Sequence, residues 1–145
     1  MKKAIAVLIL LCFLLLTACQ GEVPTVADEW GVTLSATNVT SEGMTLVMEQ
    51  KGDLEGELQT GSAFIIEKNT DGEWAEIPTL GEEPIVWTAI AYLVPQNTAT
   101  ELETNWTFVY GALEQGSYRL VKTLALRRSP GDYDEKTYYA EFVVE

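Results

Sequence analysis

Two short stretches of this chain group enough oxygen donors to suggest chemistry. Asn69-Thr70-Asp71-Gly72-Glu73 and Asp132-Tyr133-Asp134-Glu135 crowd carboxylate, amide and hydroxyl side chains, the ligands that a hard cation such as calcium takes. Neither set is complete. A calcium loop of the helix–loop–helix kind also needs a distal bidentate Glu between helical flanks, and Asp71-Gly72 equally suits the positive φ of a tight hairpin. Asp71, Asp132 and Asp134 therefore stand as candidate ligands without a full site. Paired carboxylates can act as acid and base, and Glu82-Glu83 and Glu101 with Glu103 are the pairs on offer. Adjacent strand residues point to opposite faces, while alternate ones share a face, so these read more simply as solvated surface. The chain has no histidine, which removes Ser-His and Cys-His nucleophile pairs and the commonest metal ligand. Gly-rich phosphate loops are missing too. The expectation is a chain with no catalytic residues, no metal and no cofactor.

The remaining reactive group is a thiol. Met1-Lys2-Lys3 gives a basic start, Ala4 to Leu16 an apolar run, and Leu16-Thr17-Ala18-Cys19 ends it. The run is shorter than the ~20 apolar residues a bilayer span needs, so it reads as a signal peptide over residues 1–18. Large apolar, small, small and Cys in that order resembles the lipobox of bacterial lipoproteins. The resemblance implies cleavage between Ala18 and Cys19, a diacylglyceryl group on the Cys19 sulfur, and an extracytoplasmic protein anchored to the cell membrane by lipid. Each buried methylene contributes ~0.8 kcal/mol and a single chain holds only reversibly, so two or three chains make the attachment lasting. Gln20 follows Cys19 where an Asp would suggest retention at an inner membrane. Cys12 leaves with the signal, so the mature domain folds without a disulfide.

About 127 residues remain after cleavage, enough for one domain with its own core. The formal net charge of the whole chain is −13, and losing Lys2 and Lys3 makes it more negative still. Such a balance argues against nucleic acid as a partner, which needs Lys and Arg against phosphates, and it keeps an exported domain soluble. Residues 19–29 have the mixed composition of a tether. Fully extended, they reach about 35 Å, which keeps the domain of residues 30–145 near the membrane.

From Trp30 onward the pattern is alternation. Val32, Leu34 and Ala36 share one face, as do Met44, Leu46 and Met48, with Ser41-Glu42-Gly43 between them. Ala63 to Lys68 and Glu73 to Ile77 form a hairpin about Asp71-Gly72. The apolar run from Ile85 to Val94, rich in β-branched and aromatic residues, is expected to be a buried strand. Trp106, Phe108 and Tyr110 alternate with Thr107 and Val109 as another. Tyr118 to Arg127 and Thr137 to Val144 close the chain, with Ser129-Pro130-Gly131-Asp132 turning between them. These elements predict an all-β fold, an antiparallel sandwich of about seven to eight strands.

Leu113-Glu114-Gln115-Gly116-Ser117-Tyr118-Arg119-Leu120 looks like the tyrosine corner of immunoglobulin-like (Ig-like) sandwiches, in which the Tyr hydroxyl bonds to backbone upstream. Gly116 and Tyr118 would form it, and apolar Leu120 stands where an antibody domain has its second cysteine. Together with Gly31-Val32-Thr33-Leu34, Gly43-Met44-Thr45-Leu46 and Tyr138-Tyr139-Ala140-Glu141-Phe142, it resembles the bacterial Ig-like domains of small lipoproteins and surface proteins. The resemblance implies a folded surface module with no shared catalytic residues, because fold alone does not give function.

Core packing accounts for Phe64, Trp106, Phe108, Tyr118 and Phe142, whereas Trp30, Trp74 and Trp87 are too many for one core. Tyr133, Tyr138 and Tyr139 flank the last turn, where Ig-like loops gather for binding. Arg119, Lys122, Arg127 and Arg128 are expected to neutralise adjacent acidic strands. The reading that follows is a non-enzymatic module, tethered to the membrane through Cys19, that engages another cell-envelope protein. The alternatives are a surface binder of calcium or a glycan, and an exported protease inhibitor. Calcium binding would raise the melting temperature, and inhibition would require loss of a protease's activity.

Overall fold

A computed structural model describes residues 28–145, so the signal segment, Ala18, Cys19 and most of the tether lie outside the described residues. In chain order the elements are β1 (Val32–Thr37), β2 (Gly43–Gln50), β3 (Glu57–Thr60), β4 (Ile65–Thr70), β5 (Glu73–Glu76), β6 (Tyr92–Leu93), β7 (Thr100–Asn105), the single turn α1 (Thr107–Tyr110), β8 (Gly116–Ser129) and β9 (Asp132–Val144). Strands β1, β2 and β7 form the smaller sheet; β5, β4, β8, β3 and β6 form the larger in that order, with β9 pairing along β8. All strand pairs are antiparallel. The expected all-β sandwich is the architecture found.

Alternation builds the core. Leu46 and Met48 from β2 meet Ile66, Leu120 and Leu124 from the larger sheet, all of them buried. The β4–β5 turn follows its residue types. Thr70 pairs with Glu73 across Asp71 (φ 55°) and Gly72 (φ 90°), the positive-φ pair that a two-residue hairpin needs. Asn69 Oδ1 accepts from the Gly72 amide at 2.9 Å and braces that turn.

Two expected strands are not there as read. Of Ile85 to Val94 only Tyr92–Leu93 is a strand, paired with Thr60 and Gln59 of β3. The run has no ladder to join before Tyr92, because β3 ends at Thr60 and the chain turns away at Gly61, so Val86 stays 91% exposed and Ile90 50%. The second correction lies at Trp106. The polar segment Thr100–Asn105 is the strand, and Asn105 Oδ1 ends it by accepting from the Thr107 amide at 3.0 Å and the Thr107 hydroxyl at 2.6 Å. Helical spacing then takes over, so Trp106, Val109 and Tyr110 turn inward and Phe108, expected in the core, is 60% exposed. β3 went unrecognised because four residues with two polar outer positions carry almost no pattern.

One core position is unlike the rest. Lys122 follows Tyr118 and Leu120 on the inward side of β8 and is only 1% exposed. It sits where the ladder on that edge of β8 breaks, since Leu124 pairs with β3 and Val121 with β4 while Gly61 to Phe64 pair with neither. The ammonium donates to the carbonyls of Gly61 at 2.7 Å and Ala63 at 3.0 Å. It supplies the donors that the interrupted ladder lacks. The expectation that Lys122 neutralises acidic neighbours on the surface therefore fails, because strand parity points it inward.

Candidate functional site

The segment from Ile77 to Ala91, which we call the strap, crosses from β5 to β6 without regular structure and is pinned at intervals. The Ile77 amide donates to Ile66 O at 3.1 Å, the Leu80 amide to Val109 O at 2.8 Å, and the Ser62 hydroxyl to Thr88 O at 2.8 Å. Trp87 anchors its middle, half-buried, with its ring 4.9 Å from Phe64 and 5.7 Å, edge on, from Phe108. What these anchors leave outside includes large apolar side chains: Leu80 and Val86 are exposed, as are Ile90 and the neighbouring Phe108, with Glu82 and Glu83 exposed between them. Isolated exposed apolar residues are ordinary, but a contiguous patch marks a contact surface.

The strap also walls two clefts. One, about 590 Å³, lies between Ala89 and Ile90 on one side and the outer face of β8 (Val121, Thr123, Ala125) on the other, with Glu135 its one charged lining residue. The other, about 250 Å³, lies between Val86, Trp87 and Phe108 and the outer part of β7, where Glu103 and Asn105 face it. Glu103 accepts from the Thr45 hydroxyl at 2.7 Å.

The other candidate residues fall elsewhere. Asp71 is exposed in the β4–β5 turn, whereas Asp132 to Glu135, expected in the last turn, belong to β9, because the β8–β9 ladder closes up to Ser129 and Asp132 and leaves only Pro130-Gly131 to turn. Asp132 and Asp134 are engaged by Arg128, whose guanidinium nitrogens lie 2.8 and 2.9 Å from their oxygens. Among the described residues, no three acidic side chains cluster so as to hold a metal ion. Tyr133, Tyr138 and Tyr139 do not share one surface. Tyr139 stacks on Arg119, which lies between it and Trp74 with the guanidinium carbon 4.2 and 4.7 Å from the ring centres and pairs with Glu67. Tyr138 instead donates to Asp28 at 2.8 Å, and burial together with that carboxylate pushes its hydroxyl well above the usual tyrosine range.

Asp28 and Glu29 form a clasp where the chain enters the domain. Lys136 reaches both, at 3.0 and 2.7 Å, and its ammonium also lies 4.7 Å from the centre of the Trp30 ring. Partial burial disfavours the charged Asp28 carboxylate, yet its bonds from Lys136 and Tyr138 hold it below the usual range. Trp30 is thereby packed into the core at 6% exposure.

At Gly116 and Tyr118 the geometry is local and tight. The Tyr118 hydroxyl donates to Glu114 O at 2.9 Å, its ring stacks on Phe142 at 5.7 Å, and a Cβ on Gly116 would come 3.3 Å from that ring and from Lys68 Cε. Tyr118→Phe deletes the buried hydroxyl and leaves the Glu114 carbonyl without it, so we expect a loss of about 1–3 kcal/mol. A urea titration checks this, and an unchanged midpoint would show the bond to be idle.

Sequence reasoning missed the strap as a surface, and the available signal was Pro84 before the run and Pro95 after it. A long central strand rarely sits between two such breaks. A family model described as a bacterial Ig-like domain matches residues 28–143. No curated protein and no solved structure matches the chain.

Proposed function

The chain belongs to the bacterial Ig-like domain family, and from that premise we propose that it is a lipid-anchored, non-enzymatic module that holds another envelope protein at the cell surface. The observation that carries this reading is the exposed apolar strap, because an Ig-like sandwich without catalytic chemistry acts through its surface. The clasp supports the anchored arrangement. With Asp28 held on β9, only the residues between Cys19 and Asp28 span the gap to the lipid, about 30 Å when fully extended. The β8–β9 turn lies at the clasped end and α1 at the opposite end of the smaller sheet, since Val32 pairs with Gln50 and Gly43 with Asn105. The domain then presents α1 and the adjoining strap residues Leu80 and Trp87 away from the bilayer.

Two measurements test the proposal. Cys19→Ala should move the protein from the membrane to the soluble fraction in a detergent-partition assay, and persistence in the membrane would remove the lipid anchor from the argument. A photo-crosslinking residue in place of Val86 should give a discrete adduct in intact cells, while one at Asp71 should not. Identical products from both positions would mean that the strap is not a docking surface.

A further inference from the structure

Charge around the strap is one-sided. From Asn69 to Tyr118 the sequence contains no Lys or Arg and eight Asp and Glu. That stretch builds β5, the strap, β6, β7 and α1, and Glu73, Glu76, Glu82, Glu83, Glu101 and Glu103 are all exposed on it. Four of the domain's seven cations are already engaged. Arg128 and Lys136 are paired to acids near the clasped end, Arg119 is held by Glu67, and Lys122 is buried. Glu103 lines the same cleft as Val86, Trp87 and Phe108, Glu82 and Glu83 precede Val86 by four and three residues on the strap, and no basic residue of the same stretch offsets them.

These carboxylates discriminate between occupants. A second copy of the chain would bring the same carboxylates against these, and an anionic lipid surface would be repelled in the same way. An uncharged apolar partner would strip water from the carboxylates and return nothing. Lys or Arg beside large apolar side chains satisfies both features at once. We infer that the strap is the docking site for a cationic, amphipathic segment of a partner protein, its apolar side chains against Val86, Trp87 and Phe108 and its basic ones against Glu82, Glu83 and Glu103. The inference rests on the reading of the strap as a docking surface and adds the chemistry of what docks.

The test uses the full chain in phosphatidylcholine nanodiscs, with empty discs as the baseline, and three labelled peptides of equal length. One alternates Lys and Leu, one Lys and Ser, and one Glu and Leu. The Lys–Leu peptide should bind at least about tenfold more tightly than either of the others. Val86→Ser with Phe108→Ser should weaken it by about tenfold, and Glu82→Lys with Glu83→Lys by a similar factor that shrinks at high salt. All these positions are exposed, and unchanged far-ultraviolet circular dichroism would confirm that the variants fold. Equal binding of the Lys–Ser peptide would reduce the effect to charge alone, and equal binding of the Glu–Leu peptide would remove charge from it; either overturns the inference. So would Lys–Leu binding no greater than to empty discs, or a dimer in sedimentation that Val86→Ser dissolves. A discrete crosslink from position 86 alongside any of these failures leaves the docking surface standing and rejects only its cationic partner.

Discussion

Trp106→Ala is expected to cost the fold about 3–5 kcal/mol, the range for deleting a buried Trp or Phe side chain. Trp106 is fully buried, stacks on Phe142 with ring centres 5.3 Å apart, and donates from Nε1 to Ser41 O at 2.8 Å. Its backbone amide bonds Glu42 O at 3.0 Å, and its carbonyl receives the amides of Val109 and Tyr110 at 3.0 and 2.8 Å. The residue thus joins the β1–β2 turn, α1 and β9 around one ring. Against a total stability of roughly 5–15 kcal/mol for a domain of this size, the loss is a large fraction. Urea unfolding should show a lower midpoint with an unchanged slope. Trp106→Phe separates the contributions, since it keeps most of the packing and loses the indole bond to Ser41, so its cost should be about 1–2 kcal/mol. Equal losses for Ala and Phe would mean that the hydrogen bond, not the ring, holds this end of the sandwich together.

The fate of the same residue shows how far the sequence could be read. Trp106 is rightly expected in the core, yet for the wrong reason, because alternation over Trp106, Phe108 and Tyr110 also suits one helical turn beginning at Trp106. A period of 2 and a period of 3.6 agree on the residue four positions later and differ on Phe108 and Val109. Five residues are too few to separate them. The Asn105 side chain, which accepts from the Thr107 amide and hydroxyl, is the local cue that decides it. β1, β2, β8 and the part of β9 from Thr137 were legible because each pairs over enough residues for alternation to register, whereas Asp132 to Lys136, polar and next to Pro130-Gly131, reads as turn and is strand; Asp71-Gly72 was legible because turn chemistry is local. The strap was not. Whether an apolar run is buried depends on a neighbouring strand with free hydrogen-bonding groups, and β3 offers them only from Leu58 to Thr60. That dependence is tertiary, so a run of Ile, Val, Trp and Tyr can lie at the surface with no sign of it in its own composition.

Lys122 is the second residue whose placement strand parity decides, and it makes stability depend on pH in a direction opposite to that of a paired lysine. Burial pushes its ammonium down to about 8 from an ordinary 10.5. The folded state therefore binds fewer protons than the unfolded chain between those two values, and stability from this group rises with pH across that window. Below about pH 8 both states hold the proton and the full cost of the buried charge is present. Above it the neutral amine keeps two hydrogens, enough to serve the carbonyls of Gly61 and Ala63. From pH 7 to 9.5 the gain should be about 2 kcal/mol. Other groups titrate over the same range and the domain's excess of carboxylates opposes compaction throughout, so the measured quantity is a difference. Lys122→Met fills a similar volume with no titrating group, and the stability of the native chain minus that of Lys122→Met, from urea unfolding at each pH, should climb by that amount. A flat difference would mean that the two carbonyls compensate the ammonium fully and that its burial carries no electrostatic cost. A falling difference would mean that the charge itself is what seals the break between β3 and β4.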